Sequence, residues 1–314
     1  MILTVTLNTA LDITYRVGAL RPHASHRVSA VAERPGGKGV NVARVLAALG
    51  HGTTVTGFAG GATGWAVRER LAGTAGVVDA LLPVAGATRR TIAVVDERTG
   101  DTTQLNEPGP QIAPAEWGAF LDHYEELLSD ASAVALCGSL PPGVPVGAYA
   151  GLIKTARSAG VPVLLDTSGE PLRRGVAARP DLVKPNTEEL AELTGSHDPS
   201  RATQDARRRG ARAVVASLGP QGLLALTPDG RWHATPPAVE HGNPTGAGDS
   251  AVAGLLSGLV EQLPWPTRLT RAVALSAATV RAPAAGEFDH AAYEKLLGQI
   301  TVTGDTTAAR GAGP

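Results

Sequence analysis

The segment Asn243-Pro244-Thr245-Gly246-Ala247-Gly248-Asp249-Ser250, continued by AVAGLLSGLV at 251–260, sets a glycine-rich turn at the mouth of an apolar helix. The first amides of such a helix lack carbonyl partners and lie at the positive end of its dipole. They therefore favour an anion, and small residues let a phosphoryl group come close. Asp249 stands beside that spot. It is either a plain cap of the first turn or a carboxylate that takes a proton from an attacking hydroxyl while the amides hold charge on the transferring group. Gly246 to Ala251 also fits G-x-G-x-x-A, yet the string follows Asn-Pro-Thr rather than a strand, and Arg268 rather than an acid stands about twenty residues on. Gly-Lys occurs only at Gly37-Lys38 and is followed by Gly39, so no Walker-type loop is present.

Outward from this segment, short apolar runs at 3–7, 53–58, 133–136, 161–165, 182–184 and 213–217 read as buried parallel strands. Stretches at 40–49, 115–128, 146–159 and 187–193 carry apolar residues three and four apart and read as helices between them. Strand alternating with helix predicts a doubly wound α/β fold with a mostly parallel sheet. Alternating β-branched and polar residues at 13–33 and 88–107 break the rhythm and predict inserted strands of a small β-sheet lid. Further helices are expected at 247–262, 268–281 and 290–300, with residues 301–314 as a disordered tail. The expected organisation is one domain over 1–300.

Hydrophobic residues make up 43% of the 314 and charged residues 18%, with a formal net charge of −1. That balance gives no basic field for nucleic acid or anionic lipid, so any anion is recognised locally. Aromatics are only 4%, which makes the core aliphatic. The single Cys137 excludes an internal disulfide, and no apolar run approaches ~20 residues, so a cytoplasmic protein is expected. His23 and His26 lack Cys or acidic partners at ligand spacing, which disfavours zinc.

A second constellation, Pro35-Gly36-Gly37-Lys38-Gly39-Val40-Asn41, leads into a helix. Lys38 offers a point charge to a phosphate and Asn41 a donor and an acceptor to hydroxyls, although a loop and cap would look the same. Lys184-Pro185-Asn186-Thr187-Glu188-Glu189 holds N-x-x-E, which is also a capping box.

Together these segments resemble the ribokinase-like, or PfkB, carbohydrate kinases. TLNTALD at 6–12, GGKG at 36–39, NEPGP at 106–110, CGSLPPGVP at 137–145, LLDTSGEPL at 164–172, VKPNTEEL at 183–190, SLGPQG at 217–222 and AAGEFD at 284–289 follow in order. Within the family they look like the branch of 1-phosphofructokinase and tagatose-6-phosphate kinase. The resemblance implies an ATP-dependent sugar-phosphate kinase with Asp249 as base and Gly246, Ala247 and Gly248 as anion hole. It assigns the sugar to Asp12, Gly37 and Asn41, and the phosphate already on the substrate to Lys38, Arg89 and Ser139. It sets Lys184, Asn186, Glu189, Ser217, Gly219 and Gly222 around the nucleotide, with Glu189 acting on Mg²⁺ through water. It leaves open whether Arg89 or Arg90 is the clamp, and Gln104 stands where related enzymes place a second phosphate-binding arginine. A homodimer through the lid strands is expected.

Overall fold

The computed structural model describes residues 1–240 and 242–306. The chain runs β1 (Ile2–Thr6), β2 (Ala10–Val17), β3 (Ala30–Gly36), α1 (Lys38–Ala48), β4 (Thr53–Ala59), α2 (Gly61–Ala72), β5 (Val77–Pro83), β6 (Arg89–Asp96) and β7 (Thr102–Asn106). It continues with α3 (Pro114–Leu128), β8 (Ala133–Cys137), α4 (Ala148–Ser158), β9 (Val163–Asp166), α5 (Gly169–Ala177), β10 (Leu182–Val183), α6 (Thr187–Thr194) and α7 (Pro199–Arg208). The last third holds β11 (Ala213–Ser217), β12 (Leu223–Leu226), β13 (Gly230–Thr235), α8 (Ala247–Val260), α9 (Trp265–Val280), α10 (His290–Leu297) and β14 (Thr301–Thr306).

Ten strands form the main sheet in the order β14-β13-β12-β11-β10-β9-β8-β1-β4-β5, parallel from β11 to β5 and antiparallel beyond β11. Its strands are apolar on both faces because both faces are covered. Leu3, Val5, Val134, Leu136, Val163 and Leu165 pack with Phe120, Tyr124 and Tyr149 on one side. Their neighbours Ile2, Ala133, Ala135 and Leu164 pack with the small-residue helices α8 and α9 on the other. Each alternation follows from the two-residue period of a strand. Among the described residues no helix is long and apolar enough to cross a membrane.

A separate four-stranded sheet, β3-β2-β6-β7, pairs β2 with β6 in parallel and leaves β3 and β7 as edges. It is the lid expected at 13–33 and 88–107, but it begins at Ala10 and so includes Asp12. The expected disordered tail needs correction. Thr301–Thr306 forms β14, paired antiparallel with β13, because its polar, β-branched residues suit an exposed edge strand. Residues 307–314 lie outside the described residues.

Candidate active site

The C-terminal ends of β1, β8 and β9 point toward the lid, and the crevice outside those ends is where open α/β sheets place ligands. Asp166 closes β9 there, 1% exposed. Its Oδ2 lies 3.2 Å from Lys38 Nζ on the first turn of α1, and its Oδ1 lies 3.3 Å from Lys184 Nζ just after β10. Burial alone would push the Asp166 carboxyl up, but the two lysines outweigh it and hold it below the usual carboxylate range. In return Asp166 drives the Lys38 ammonium above its ordinary range.

Asp249 lies in the first turn of α8, 7% exposed, and its Oδ2 accepts a hydrogen bond from Asn41 Nδ2 at 2.8 Å. That bond fixes the amide and leaves Asn41 Oδ1 buried without a partner among the described residues. Loss of solvent pushes the Asp249 carboxyl up to about 6, against the opposing pull of Lys38. A base poised just below neutral pH can both stay ionised and accept a proton.

The helix opens on Gly246 in the left-handed region, φ 87°, where an added Cβ would also lie 2.8 Å from Ala285 Cα. Any side chain there would move the turn. Of the residues expected to form the anion hole, Ala247 turns its amide to the Pro244 carbonyl at 3.1 Å. At this turn no hydrogen bond among the described residues engages the amides of Gly246, Gly248 or Asp249, so these, rather than that of Ala247, stay open to an anion. Lys184 reaches the same mouth, since a Cβ at Gly248 would sit 3.7 Å from its Nζ.

Two cavities approach this centre, one through Lys38 and the other through Ala247 and Gly248. One, of about 570 Å³, is lined by Lys38, Arg89, Ser139, Asn8, Asn106 and Ser168. The other, of about 520 Å³, runs past Asn186, Ser217, Gly219, Gly222, Ala247 and Gly248 to an apolar wall that includes Leu223, Val239, Val273 and Val280. Asn186 and Ser217 are joined by a parallel bridge that brings two of the expected nucleotide residues side by side. Asp12 stands on the lid above Gly36, where a Cβ would lie 2.1 Å from its Cγ, so only glycine leaves room for the carboxylate. Burial pushes Asp12 up to about 6, with Arg89 pulling the other way. Glu189 closes the capping box with Asn186: its Oε2 takes the Asn186 amide at 2.9 Å, and Asn186 Oδ1 takes the Glu189 amide at 2.8 Å.

The two adjacent arginines part on the pleat. Thr91 lies opposite Asp12, so Arg89, two residues before it, shares the Asp12 face and lines the cavity. Arg90 falls on the other face, opposite Leu11, and pairs with Glu107. Gln104 reaches across from the lid, with Nε2 3.5 Å from Thr245 Oγ1. Asp166, which joins two of the candidate lysines, is not among the residues the sequence singles out. Its signal was an acid ending the apolar run 161–165, at the strand end where ligands gather.

The pfkB family carbohydrate kinase model matches residues 5–291. The chain belongs to this family. A solved Escherichia coli phosphofructokinase-2, a point mutant of that enzyme, superposes with a TM-score of 0.88 at 32% identity, covering 95% of this chain and 98% of that one. The same enzyme in complex with fructose-6-phosphate gives 0.86 at 31% identity over 95% and 98%. A protein described as a possible 1-phosphofructokinase from Thermotoga maritima gives 0.87 at 28% identity over 97% and 99%. This pfkB kinase is thus an ATP-dependent sugar-phosphate kinase with the ribokinase-like α/β fold, its sheet, flanking helices and separate small sheet all matching.

Proposed function

We propose that this kinase transfers the γ-phosphoryl group of ATP to the free primary hydroxyl of a ketohexose monophosphate, with fructose 1-phosphate giving fructose 1,6-bisphosphate as the favoured reaction. The observation that carries this reading is the position of Asp249, held by Asn41 in the first turn of α8, beside Gly248 of one cavity and within the electrostatic reach of Lys38 of the other. The sugar-side cavity is lined by Lys38, Arg89 and the Ser139 hydroxyl, a set that matches a phosphate and would be wasted on a neutral sugar. Asp12, Gly37 and Asn41 would orient the sugar, with the unpaired Asn41 Oδ1 ready to accept from a hydroxyl.

The nucleotide would occupy the second cavity, its base against the apolar wall and its phosphates running past Asn186 toward Gly248. Asp249 takes the proton as the hydroxyl attacks, while Lys184 and the Gly248 amide face the charge on the transferring group. Lid closure excludes water and limits wasteful hydrolysis. Mg²⁺ fits the donor set sparingly. Glu189 spends Oε2 in its capping box, and Oε1 takes no hydrogen bond among the described residues, which suits contact through a water that magnesium is slow to shed. When bound with ATP the ion supplies neutralisation of phosphate charge.

A second reading, fructose 6-phosphate or tagatose 6-phosphate as acceptor, is favoured by the fructose-6-phosphate complex of the 31% identical Escherichia coli enzyme. Coupled ADP release across fructose 1-phosphate, fructose 6-phosphate, tagatose 6-phosphate and unphosphorylated sugars separates the two. The highest kcat/KM is expected with fructose 1-phosphate, and a preference for a neutral sugar would sink both. A non-catalytic sensor would bind both ligands without ADP release. We assign the lid a homodimer contact through its edges, where Val31 and Leu105 stay 59% and 57% exposed. A monomeric mass in solution would refute it.

Replacing Lys38 with Ala should raise KM for the sugar phosphate about 10- to 100-fold, the worth of one charged hydrogen bond, with a much smaller change for ATP. Unchanged constants would make Lys38 a bystander. The pH dependence follows from the two carboxylates. Asp12 and Asp249 are both pushed up to about 6, and both act ionised, so kcat/KM should fall as pH drops through that value. The substrate phosphate ionises near pH ~6 as well, but that step is common to wild type and variant. Asp12→Asn should therefore shed one proton from the acid-limb slope, and an unaltered slope would remove Asp12 from the sugar site.

A further inference from the structure

The segment 284–288, between α9 and α10, touches three parts of the site at once. Ala285 packs on the glycine that opens α8, as the 2.8 Å approach to a Gly246 Cβ shows. Gly286 backs onto Asn41, whose Oδ1 would lie 3.1 Å from a Cβ placed there. Glu287 turns to the lid and to α1. Its Oε1 accepts from Arg34 Nε at 3.0 Å and from Arg44 Nη2 at 2.9 Å, and Arg44 Nη1 donates to the Ala285 carbonyl at 3.0 Å. Arg34 belongs to the lid and lies directly opposite Asp12 in the β2–β3 register. Arg44 sits one turn beyond Asn41 on α1.

We propose that Glu287 is a positioning residue that latches the lid to the phosphoryl-transfer centre, so that closure on the sugar also sets Gly246 and Asn41. The inference rests on the kinase reading above and adds to it a residue that touches neither substrate. One carboxylate oxygen shared by guanidinium groups from two elements forms strong, directional bonds, and here all three side chains are at least two-thirds withdrawn from solvent. An open lid takes Arg34 away and leaves Glu287 with Arg44 alone. A closed lid draws the 284–288 segment toward β3, and Ala285 and Gly286 move with it because only one or two peptide units separate them from Glu287. Their close contacts then hold the turn before Asp249 and the side chain that hydrogen-bonds to it. Glu33 ties the lid to Arg70 on α2, away from this turn, and the contact of Gln104 with Thr245, at 3.5 Å, is too long to set it.

Contact alone does not demonstrate coupling, so the test is a double-mutant cycle in the full-length kinase. Glu287→Gln, Arg34→Met and the double variant are assayed for sugar-phosphate KM, ATP KM, kcat, and ADP released per sugar phosphorylated. Each single variant should lose about tenfold in kcat/KM for the sugar phosphate with little change in ATP KM, and the double variant should lose no more than either single one. ADP released per product should rise above one, since a loose lid admits water. Full wild-type kinetics in Glu287→Gln, or losses that multiply in the double variant, would overturn the latch. If Glu287→Gln does not fold, Arg34→Met on the outer lid strand gives the same uncoupling readout, and a ratio of one there overturns it equally. Wild-type protein inactive on every sugar phosphate would instead defeat the substrate reading alone.

Discussion

Asp249→Asn should lower kcat by about 10²- to 10⁴-fold with a smaller change in KM, the range for removing a positioned general base. The substitution keeps size and hydrogen bonding, so Asn41 Nδ2 retains an acceptor at the 2.8 Å position. What it removes is the charge that drives proton abstraction. The same change should not weaken the fold. An acid whose folded pKa is raised favours folding when protonated, so its contribution is complete below the unfolded value near 4 and is lost as pH rises through about 6. At pH 7.5 the ionised carboxylate therefore costs about 2–3 kcal/mol, which asparagine relieves. The variant should melt no lower than wild type while being nearly inactive, a separation of stability from activity expected at a site built for chemistry. A folded variant with near-normal turnover would show that Asp249 is only a helix cap.

Asp166→Asn should be costly in both respects. The wild-type carboxylate is fully enclosed and serves Lys38 and Lys184 at once, so asparagine removes the acid both ammonium groups contact and leaves Asp249 as the buried counter-charge they share. Breaking one side of a buried pair costs several kcal/mol, but the Lys38 side chain is 41% exposed and partly screened, which lowers the expected loss to about 2–4 kcal/mol. The sign with pH is opposite to that of Asp249. A depressed carboxyl stabilises the fold above its unfolded pKa, so the gap between wild type and variant should be full at neutral pH and shrink below about pH 4. Both lysines lose their anchor, and kcat/KM should drop at least about tenfold because a phosphate-binding charge and a charge at the α8 mouth are displaced together. A variant with unchanged melting temperature and kinetics would mean the bridge is incidental.

The parallel strands were legible because continuous apolar runs such as 213–217 can be satisfied only between two covering layers. Elements without such a signature escaped. Helix α7, PSRATQDARR, is so polar that its buried positions are Ala202, Thr203 and Ala206, which no hydrophobic periodicity reveals. Helix α2 carries two glycines and little apolar contrast, and β5 beyond it is an edge strand. The predicted end of the last helix at 300 overshot because the chain turns at Gly298 into β14.

At the site, glycine-rich turns and charged residues were readable one by one, whereas their partnerships were not. Lys38 and Asp166 are 128 positions apart, and Asn41 and Asp249 are 208 apart, so only the sheet order brings them together. The choice of Arg89 over Arg90 needed the β2–β6 register, and the engagement of the Ala247 amide needed the local turn.

The most direct measurement is a crystal structure with ADP, aluminium fluoride and a ketohexose monophosphate. The planar fluoride should sit at the Gly248 and Asp249 amides, with the sugar's primary hydroxyl about 2.6–3.2 Å from an Asp249 carboxylate oxygen. A hydroxyl held beyond reach of Asp249, or a fluoride placed away from the mouth of α8, would contradict the assignment of this aspartate as the base.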